Sequence, residues 1–366
     1  MSGENLNNRL ESRPLRILIT GSLQRDDNEV PGGCAVSLVY LVEHLVRDET
    51  VDVRVADTMR IRGHGVAGAF RFVQWVFQIL CDAPQVDVIT LHCSRYVIAF
   101  LGFFHLLVAR LLRKPLIIRL FAGHDCMSMG PVRGRLARFV AGHADLFLVE
   151  TMHLVCLAQA RGVQKVRWFP TCRAMHLENV RDCERTTCRR FVYVGQVREY
   201  KGIRELVQAA ERLDNGASVD VYGPLFDDLP HDLFHGCRVI SYTGVLKHEN
   251  VVPTMRQYDA LVMPTKALTE GYPGVILEAY MADLPVITTT CGAIPEIVDE
   301  TSGILVEPKN AEALYRAMKR LSGDPELYVR LCKGAQDRAG QFSAEYWTNK
   351  FVGFCWEVFE RKQALG

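Results

Sequence analysis

The chain has 366 residues, more than one hydrophobic core usually serves, so two domains are expected. Apolar residues make up 49% and charged residues 23%, which excludes a disordered or fibrous chain and fits a soluble globular protein. With 43 Lys and Arg against 42 Asp and Glu, there is no overall basic excess of the kind that marks a nucleic-acid binder, and no nucleic-acid partner is expected.

The halves differ in charge. Residues 1–175 carry 21 basic against 15 acidic side chains, and the remainder 22 against 27. A basic N-terminal half suits an anionic partner; an ordinary solvated face accounts for it equally. The 12 cysteines form no C-x-x-C pair and fit no zinc spacing. Cys81, Cys93, Cys156 and Cys355 lie in apolar runs, where Cys behaves as a small core residue. The polar start, MSGENLNNRLESRP, has no apolar signal-peptide region, so a reducing, cytoplasmic location is expected.

Residues 1–14 read as a polar lead-in. Short β-branched runs then alternate with helical patterns. RILIT (16–20), VDVRVA (51–56), DVITL (87–91), PLIIRL (115–120), DLFLV (145–149) and VRWFP (166–170) read as buried strands. Helices are expected near 34–47, 68–82, 96–113, 131–143 and 151–161. The longest uncharged stretch, Tyr96 to Ala109, is too short to cross a bilayer. It reads as a buried helix before a strand, or as a helix that also touches membrane lipid. The charged, aperiodic segment 173–190 reads as an interdomain linker, with its firm limits at 176–190.

Alternation resumes with FVYVG (191–195), SVDVYG (218–223), RVISY (238–242), ALVMP (260–264), PVITT (285–289) and GILVE (303–307) as strands. Helices are expected near 201–213, 249–257, 274–282, 309–322 and 325–340. A final helix over 344–362 carries an apolar stripe that needs a surface to cover. The pattern predicts an α/β protein of two Rossmann-like, doubly wound domains, 1–175 and 191–341, facing across a cleft, with a C-terminal helix over 342–366.

The most informative run is PTKALTEGYPGVILEAYMADLPVITTTCGAIPEIV (264–298). Pro273 suits the first helical position, where a missing N–H costs nothing. A helix start there is an anion site. Glu270 stands just before it and Glu278 within it. Carboxylates repel phosphate, but they accept hydrogen bonds from sugar hydroxyls and stabilise developing positive charge. A nucleotide sugar offers both, as a ribose diol and as an anomeric carbon that becomes oxocarbenium-like. In FVYVGQVREYKG (191–202), Arg198 and Lys201 are placed to reach a diphosphate. In PGGCAVSLVYLVEHL (31–45), Gly32 and Gly33 permit close backbone approach to a ligand, or make a plain tight turn. The segment is not a G-x-G-x-x-G fingerprint, so no dinucleotide cofactor is indicated.

Together these segments resemble the family 4 glycosyltransferases of the GT-B fold, over nearly the whole chain. The most specific part is EGYPGVILEA followed by DLPVI and IPEIV, similar to the family's two glutamates eight apart, a proline-marked strand and a Pro-Glu turn. EGYPGVILEAY is similar to bacterial surface-polysaccharide transferases in particular. The resemblance implies that Glu270 contacts the donor sugar near the reacting carbon and Glu278 the ribose. It implies that the backbone of Gly271, Tyr272, Pro273, Gly274 and Val275 meets the diphosphate or sugar, and that Lys201 binds phosphate. Gly32 and Gly33 would lie near acceptor and diphosphate, and the C-terminal helix would return to the N-terminal domain.

Two positions depart from the family. Gln196 stands where an arginine is usual, which leaves Arg198 as the substitute. In RLFAGHDC (119–126), His124 is displaced from the family's His-Gly position, and reads equally as a site residue or a loop residue. His92, at the end of its strand, reads as a structural histidine.

The expected reaction moves a sugar from a UDP- or GDP-linked donor to a hydroxyl of a carbohydrate or lipid-linked acceptor. Retention of anomeric configuration follows from the resemblance alone. No Asp-x-Asp occurs in the chain, so no metal or other cofactor is implied. An anionic membrane surface is a further expected partner, placing the protein peripherally on the inner face of the membrane. A nucleotide-sugar epimerase or hydrolase of the same fold, or a non-catalytic relative, are the alternatives.

Overall fold

The computed structural model describes residues 13–23, 33–61, 65–121, 123–174, 186–214, 216–230 and 232–364. Residues 1–12 of the lead-in, residues 176–185 of the expected 176–190 linker, and Gly32 lie outside the described residues, and Arg190, the last residue of that linker, opens a strand. The chain divides into two compact units, Met1–Thr171 with Ala344–Gly366, and Cys172–Ser343.

In the first unit the order is β1 (Leu15–Gly21), α1 (Gly33–Arg47), β2 (Val51–Asp57), α2 (Gly65–Asp82) and β3 (Val88–Ser94). A π-helical turn over Ile98–Gly102 leads into α3 (Phe103–Leu111), followed by β4 (Leu116–Phe121), α4 (Pro131–His143), β5 (Leu146–Val149), α5 (Met152–Ala160) and β6 (Val166–Trp168). The six strands are all parallel, in the order β2-β1-β3-β4-β5-β6. Strands such as β4, LIIRLF, are buried along their whole length because helices cover both faces of the sheet.

The second unit repeats the plan: β7 (Arg190–Val194), α6 (Ile203–Ala210), β8 (Ser218–Tyr222), β9 (Ile240–Gly244), α7 (Val251–Met255), β10 (Ala260–Met263), α8 (Gly274–Met281), β11 (Val286–Thr289), β12 (Gly303–Val306), α9 (Ala311–Gly323) and α10 (Pro325–Gln341). Its six parallel strands run β12-β11-β10-β7-β8-β9. The final helix, α11 (Ala344–Gln363), belongs to the first unit. Its apolar stripe is buried there: Trp347 meets Trp168 and Phe169 edge-on, and Phe351 lies against His92 and Phe169.

Three local expectations change. Pro273 is the residue before α8 rather than its first residue, with an extended ψ of 121°. Cys93 and Cys355 are buried, but Cys81 and Cys156 are exposed, since they fall on the outward sides of α2 and α5. The 96–109 stretch is not fully buried. Tyr96, Phe100 and Phe103 are exposed while His105, Leu106, Val108 and Ala109 face the core.

Candidate active site

In a doubly wound sheet, ligands bind beyond the carboxyl ends of the strands where the winding order reverses. In the second unit β8 and β9 extend one way from β7, and β10 lies on the other side of it. The reversal therefore falls between β7 and β10, and the loops that follow them are 195–202 and 264–273. These loops carry Lys201 and Glu270.

The two loops approach closely because of Gly202, whose φ is +77° and whose absent Cβ would strike the Pro264 carbonyl oxygen. A side chain there would force the loops apart. Across this contact Lys201 Nζ donates to Glu270 Oε1 at 2.5 Å, with both side chains largely buried. Thr265 Oγ1 donates to the same carboxylate oxygen at 3.0 Å. Thr265 is in turn anchored through its carbonyl, which accepts from Thr289 Oγ1 at the end of β11.

Glu278 lies in α8, a helix that is buried from Ile276 to Met281. Its Oε1 accepts from Arg173 Nε at 2.7 Å, in a pair that is almost entirely buried. Arg173 is held from behind: its backbone N–H donates to the Phe342 carbonyl, and its Nη1 to the Cys172 carbonyl. The guanidinium reaches the start of α8, where a Cβ on Gly274 would overlap it. His248 Nδ1 stands 3.9 Å from Glu278 Oε1. Burial pushes the His248 pKa down; Glu278 opposes this and Arg173 adds to it, and the net direction is downward.

At the start of α8, the Ile276 N–H turns back to the Pro273 carbonyl at 3.0 Å. The N–H groups of Gly274 and Val275 precede the first intrahelical bond, so the helix presents donors and the positive end of its dipole here. Tyr272 is buried; its hydroxyl donates to Glu296 Oε2 at 2.6 Å, which ties the 271–275 backbone to the Pro-Glu turn.

The structure thus brings Lys201, Glu270, Glu278 and the 271–275 backbone to one end of one sheet. Arg198 is engaged elsewhere: its Nε donates to Asp228 at 3.1 Å and its guanidinium lies over Phe226 and Tyr200. Gln196 Oε1 accepts from the Tyr200 hydroxyl. Gly33 opens α1, and His124 is half-buried in the turn after β4, both in the other unit. His92 is buried, bonded through Nε2 to Thr90 and packed on Phe121 and Phe351, which fits the structural role expected of it. Burial, then the charge of Arg119, holds its pKa well below the usual histidine range.

Arg173, Thr265 and His248 escaped the sequence reading. Arg173 sits 105 residues from Glu278 and has nothing local to mark it.

Residues 188–324 match the family model of Glycosyl transferases group 1. That stretch contains Lys201, Glu270 and Glu278. The whole chain has the GT-B fold, similar to sucrose-phosphate synthase from Thermosynechococcus elongatus with a TM-score of 0.73 at 17% identity, covering 95% of this chain and 100% of that one. The Anabaena HepE structure in complex with UDP gives a TM-score of 0.71 at 14% identity, covering 93% and 99%. Among curated relatives, the O-antigen chain mannosyltransferase C of Escherichia coli is 26% identical over 47% of each chain. The putative teichuronic acid biosynthesis glycosyltransferase TuaC of Bacillus subtilis is 31% identical over 35% of this chain and 32% of its own. The matches span about half the length of these curated relatives or less.

Proposed function

We propose that this GT-B protein transfers a sugar from a nucleoside-diphosphate donor to an acceptor hydroxyl, with retention, in the synthesis of a polysaccharide or glycoconjugate. The observation that carries the reading is the Lys201–Glu270 pair spanning the winding reversal of the group 1 domain. A cation beside a carboxylate, next to free helix N–H groups, suits a ligand with a diphosphate at one end and a sugar at the other.

In this reading the β-phosphate lies against Lys201 and the Gly274 and Val275 N–H groups. Glu270 faces the donor sugar, and Glu278 accepts hydrogen bonds from the ribose hydroxyls. Arg173 acts as a positioning residue that keeps Glu278 aimed. During reaction the bond from the anomeric carbon to the β-phosphate oxygen breaks, and its electron pair leaves with the nucleotide. The acceptor oxygen forms the new bond to that carbon, and its proton passes to the departing phosphate oxygen. Lys201 and the α8 dipole stabilise the charge that develops on that oxygen, so the reading needs no metal ion.

The O-antigen and teichuronic acid names of the relatives support a carbohydrate acceptor, free or lipid-linked. A peripheral position on the cytoplasmic face of a membrane is part of the same proposal. The HepE complex with UDP supports a UDP donor, with GDP as the other base to screen.

The test is a thermal-shift screen of UDP- and GDP-sugars, followed by measurement of nucleotide release with and without carbohydrate acceptors. A stabilising donor and acceptor-dependent release are expected. Release that ignores the acceptor would indicate hydrolysis instead. No stabilisation by any nucleotide sugar would remove the reading.

A further inference from the structure

Helix α2 is built inside out. Trp75 and Ile79 face the core, yet Val66, Phe70, Val73, Phe77 and Leu80 are between 50% and 88% exposed. Their spacing of four, three, four and three residues puts them on one side of the helix. The exposed side is almost without polar groups: Arg71 and Gln74 are its only exposed polar residues. Soluble proteins rarely leave so much contiguous apolar surface without a partner.

The surface continues beyond α2. Successive right-handed crossovers from β2 to β5 place α2, α3 and α4 on one face of the sheet. Trp75 of α2 lies 6.0 Å from Phe104 of α3, and Phe103 of α3 lies 6.5 Å from Phe139 of α4. Phe100, Phe103, Leu107 and Leu111 carry the exposed apolar strip across α3, and Phe139 onto α4. Arg110, Arg113, Arg133, Arg135 and Arg138 stand exposed among or beside these residues. Carboxylates are confined to the margins: residues 58–81, 88–124 and 126–144 contain no Asp or Glu, and Asp82, which ends α2, is paired with Arg54.

We propose that the α2–α3–α4 face is a docking surface for an anionic lipid bilayer, with α2 lying in the headgroup layer. This deepens the membrane-peripheral part of the reading above, but vesicle binding is read without any sugar nucleotide, so its failure and failure of the transfer reading are separate results. Among the described residues no helix is long and apolar enough to cross a membrane, so the face lies on the bilayer rather than through it. The apolar side chains supply insertion, and the guanidinium groups supply attraction to negative headgroups.

The charge pattern decides the occupant. The heptad-like spacing on α2 would also suit a second copy of the chain, but a matching copy brings the same arginines and no carboxylates to meet them. A surface with aromatic bulk, arginines and no acids complements a bilayer that is apolar within and negative at its surface.

The test is co-sedimentation with vesicles of phosphatidylcholine and about 30% phosphatidylglycerol, against phosphatidylcholine alone, at about 50 mM and about 500 mM salt. Strong binding to the anionic vesicles at low salt, weakened at high salt, is expected. The double variant Phe70→Ser, Phe77→Ser alters only exposed side chains, so circular dichroism should match the parent while partitioning falls by at least about tenfold. The triple variant Arg133→Gln, Arg135→Gln, Arg138→Gln should lose most of the salt dependence and keep the residual binding to neutral vesicles. Absence of binding to anionic vesicles, or undiminished binding by a folded Phe70→Ser, Phe77→Ser protein, overturns the proposal. So does a solution dimer, seen by light scattering, that the same phenylalanine variant converts to monomer.

Discussion

Lys201 is paired with the Glu270 carboxylate, and in the proposed reaction it trades that partner for a phosphate. In the proposed reaction its removal takes a cation from the departing diphosphate, so Lys201→Ala should cost about 2–4 kcal/mol of transition-state stabilisation. The fold should be little affected, because the side chain is engaged with Glu270 and the Tyr200 ring at the end of the sheet rather than in the hydrophobic core. Steady-state kinetics with the true donor checks this, and Glu270→Ala should likewise lower kcat more than it raises KM. Glu278→Ala should instead raise the donor KM, since in the proposed reading the ribose loses its acceptor. A Lys201→Ala enzyme with parental kcat would end the phosphate role. The Arg173–Glu278 pair is a different case. Both partners are buried, and truncating one strands the other's charge. Arg173→Ala should therefore destabilise the second unit by about 3–5 kcal/mol in urea unfolding, with Arg173→Lys recovering part of the loss and part of the donor affinity. A loss under about 1 kcal/mol would mean the pair is not closed in solution. The Glu270 and Glu278 spacing was legible because it lies within one continuous motif. Arg173 was not, because a buried pair between distant segments leaves no pattern in either one.

Helices show the same limit in another form. The positions of α2 and α3 could be read from their apolar periodicity, but not which side of each faces water. An all-apolar run carries no polar stripe to mark its outer face, so burial was the natural expectation for 96–109 and the exposed aromatics contradict it. The inner side of α3 is specified by a histidine. His105 is fully buried, with Nδ1 bonded to the Leu101 carbonyl and Nε2 to Thr20 Oγ1, and ringed by Trp75 and Phe104. Burial pushes its pKa down, against the Leu101 carbonyl, to about 4. A folded-state value below the unfolded one near 6.5 means the unfolded chain takes up the proton first. Stability should be full above about pH 6.5, fall by about 3 kcal/mol as the pH drops toward 4, and level off below that for this group. His92, also buried and lowered, adds to the same slope. Thermal melts from pH 7 to pH 4 measure it, and His105→Gln should flatten the curve; an unchanged slope would assign the effect to other groups.

At the scale of the molecule, the two sheets share a plan but not a continuity. The second unit is one unbroken segment, whereas the first needs α11 from beyond it. The alternating strands made both sheets legible, since twelve short buried runs separated by helical patterns leave few other architectures. The need for α11 was legible only as a stripe in search of a surface. Its anchor is Phe351, buried between His92 and Phe169. Phe351→Ala should cost about 3–5 kcal/mol, all of it in the first unit, as read by tryptophan fluorescence of Trp168 and Trp347 during denaturation. Destabilisation of the second unit's transition by as much as the first would contradict this assignment.

That discontinuity sets an order of events during synthesis. Domains ordinarily fold as they emerge, the N-terminal one first. Here the first sheet leaves the ribosome with Phe169 and His92 uncovered, and their cover follows only after Cys172–Ser343 has been made. At about 5–20 residues per second, that wait lasts roughly 10–30 s. Throughout it, the faces of His92 and Phe169 that Phe351 covers are open to chaperones and to other nascent chains. A premature stop anywhere in the second unit would therefore also leave the first unit without its final helix.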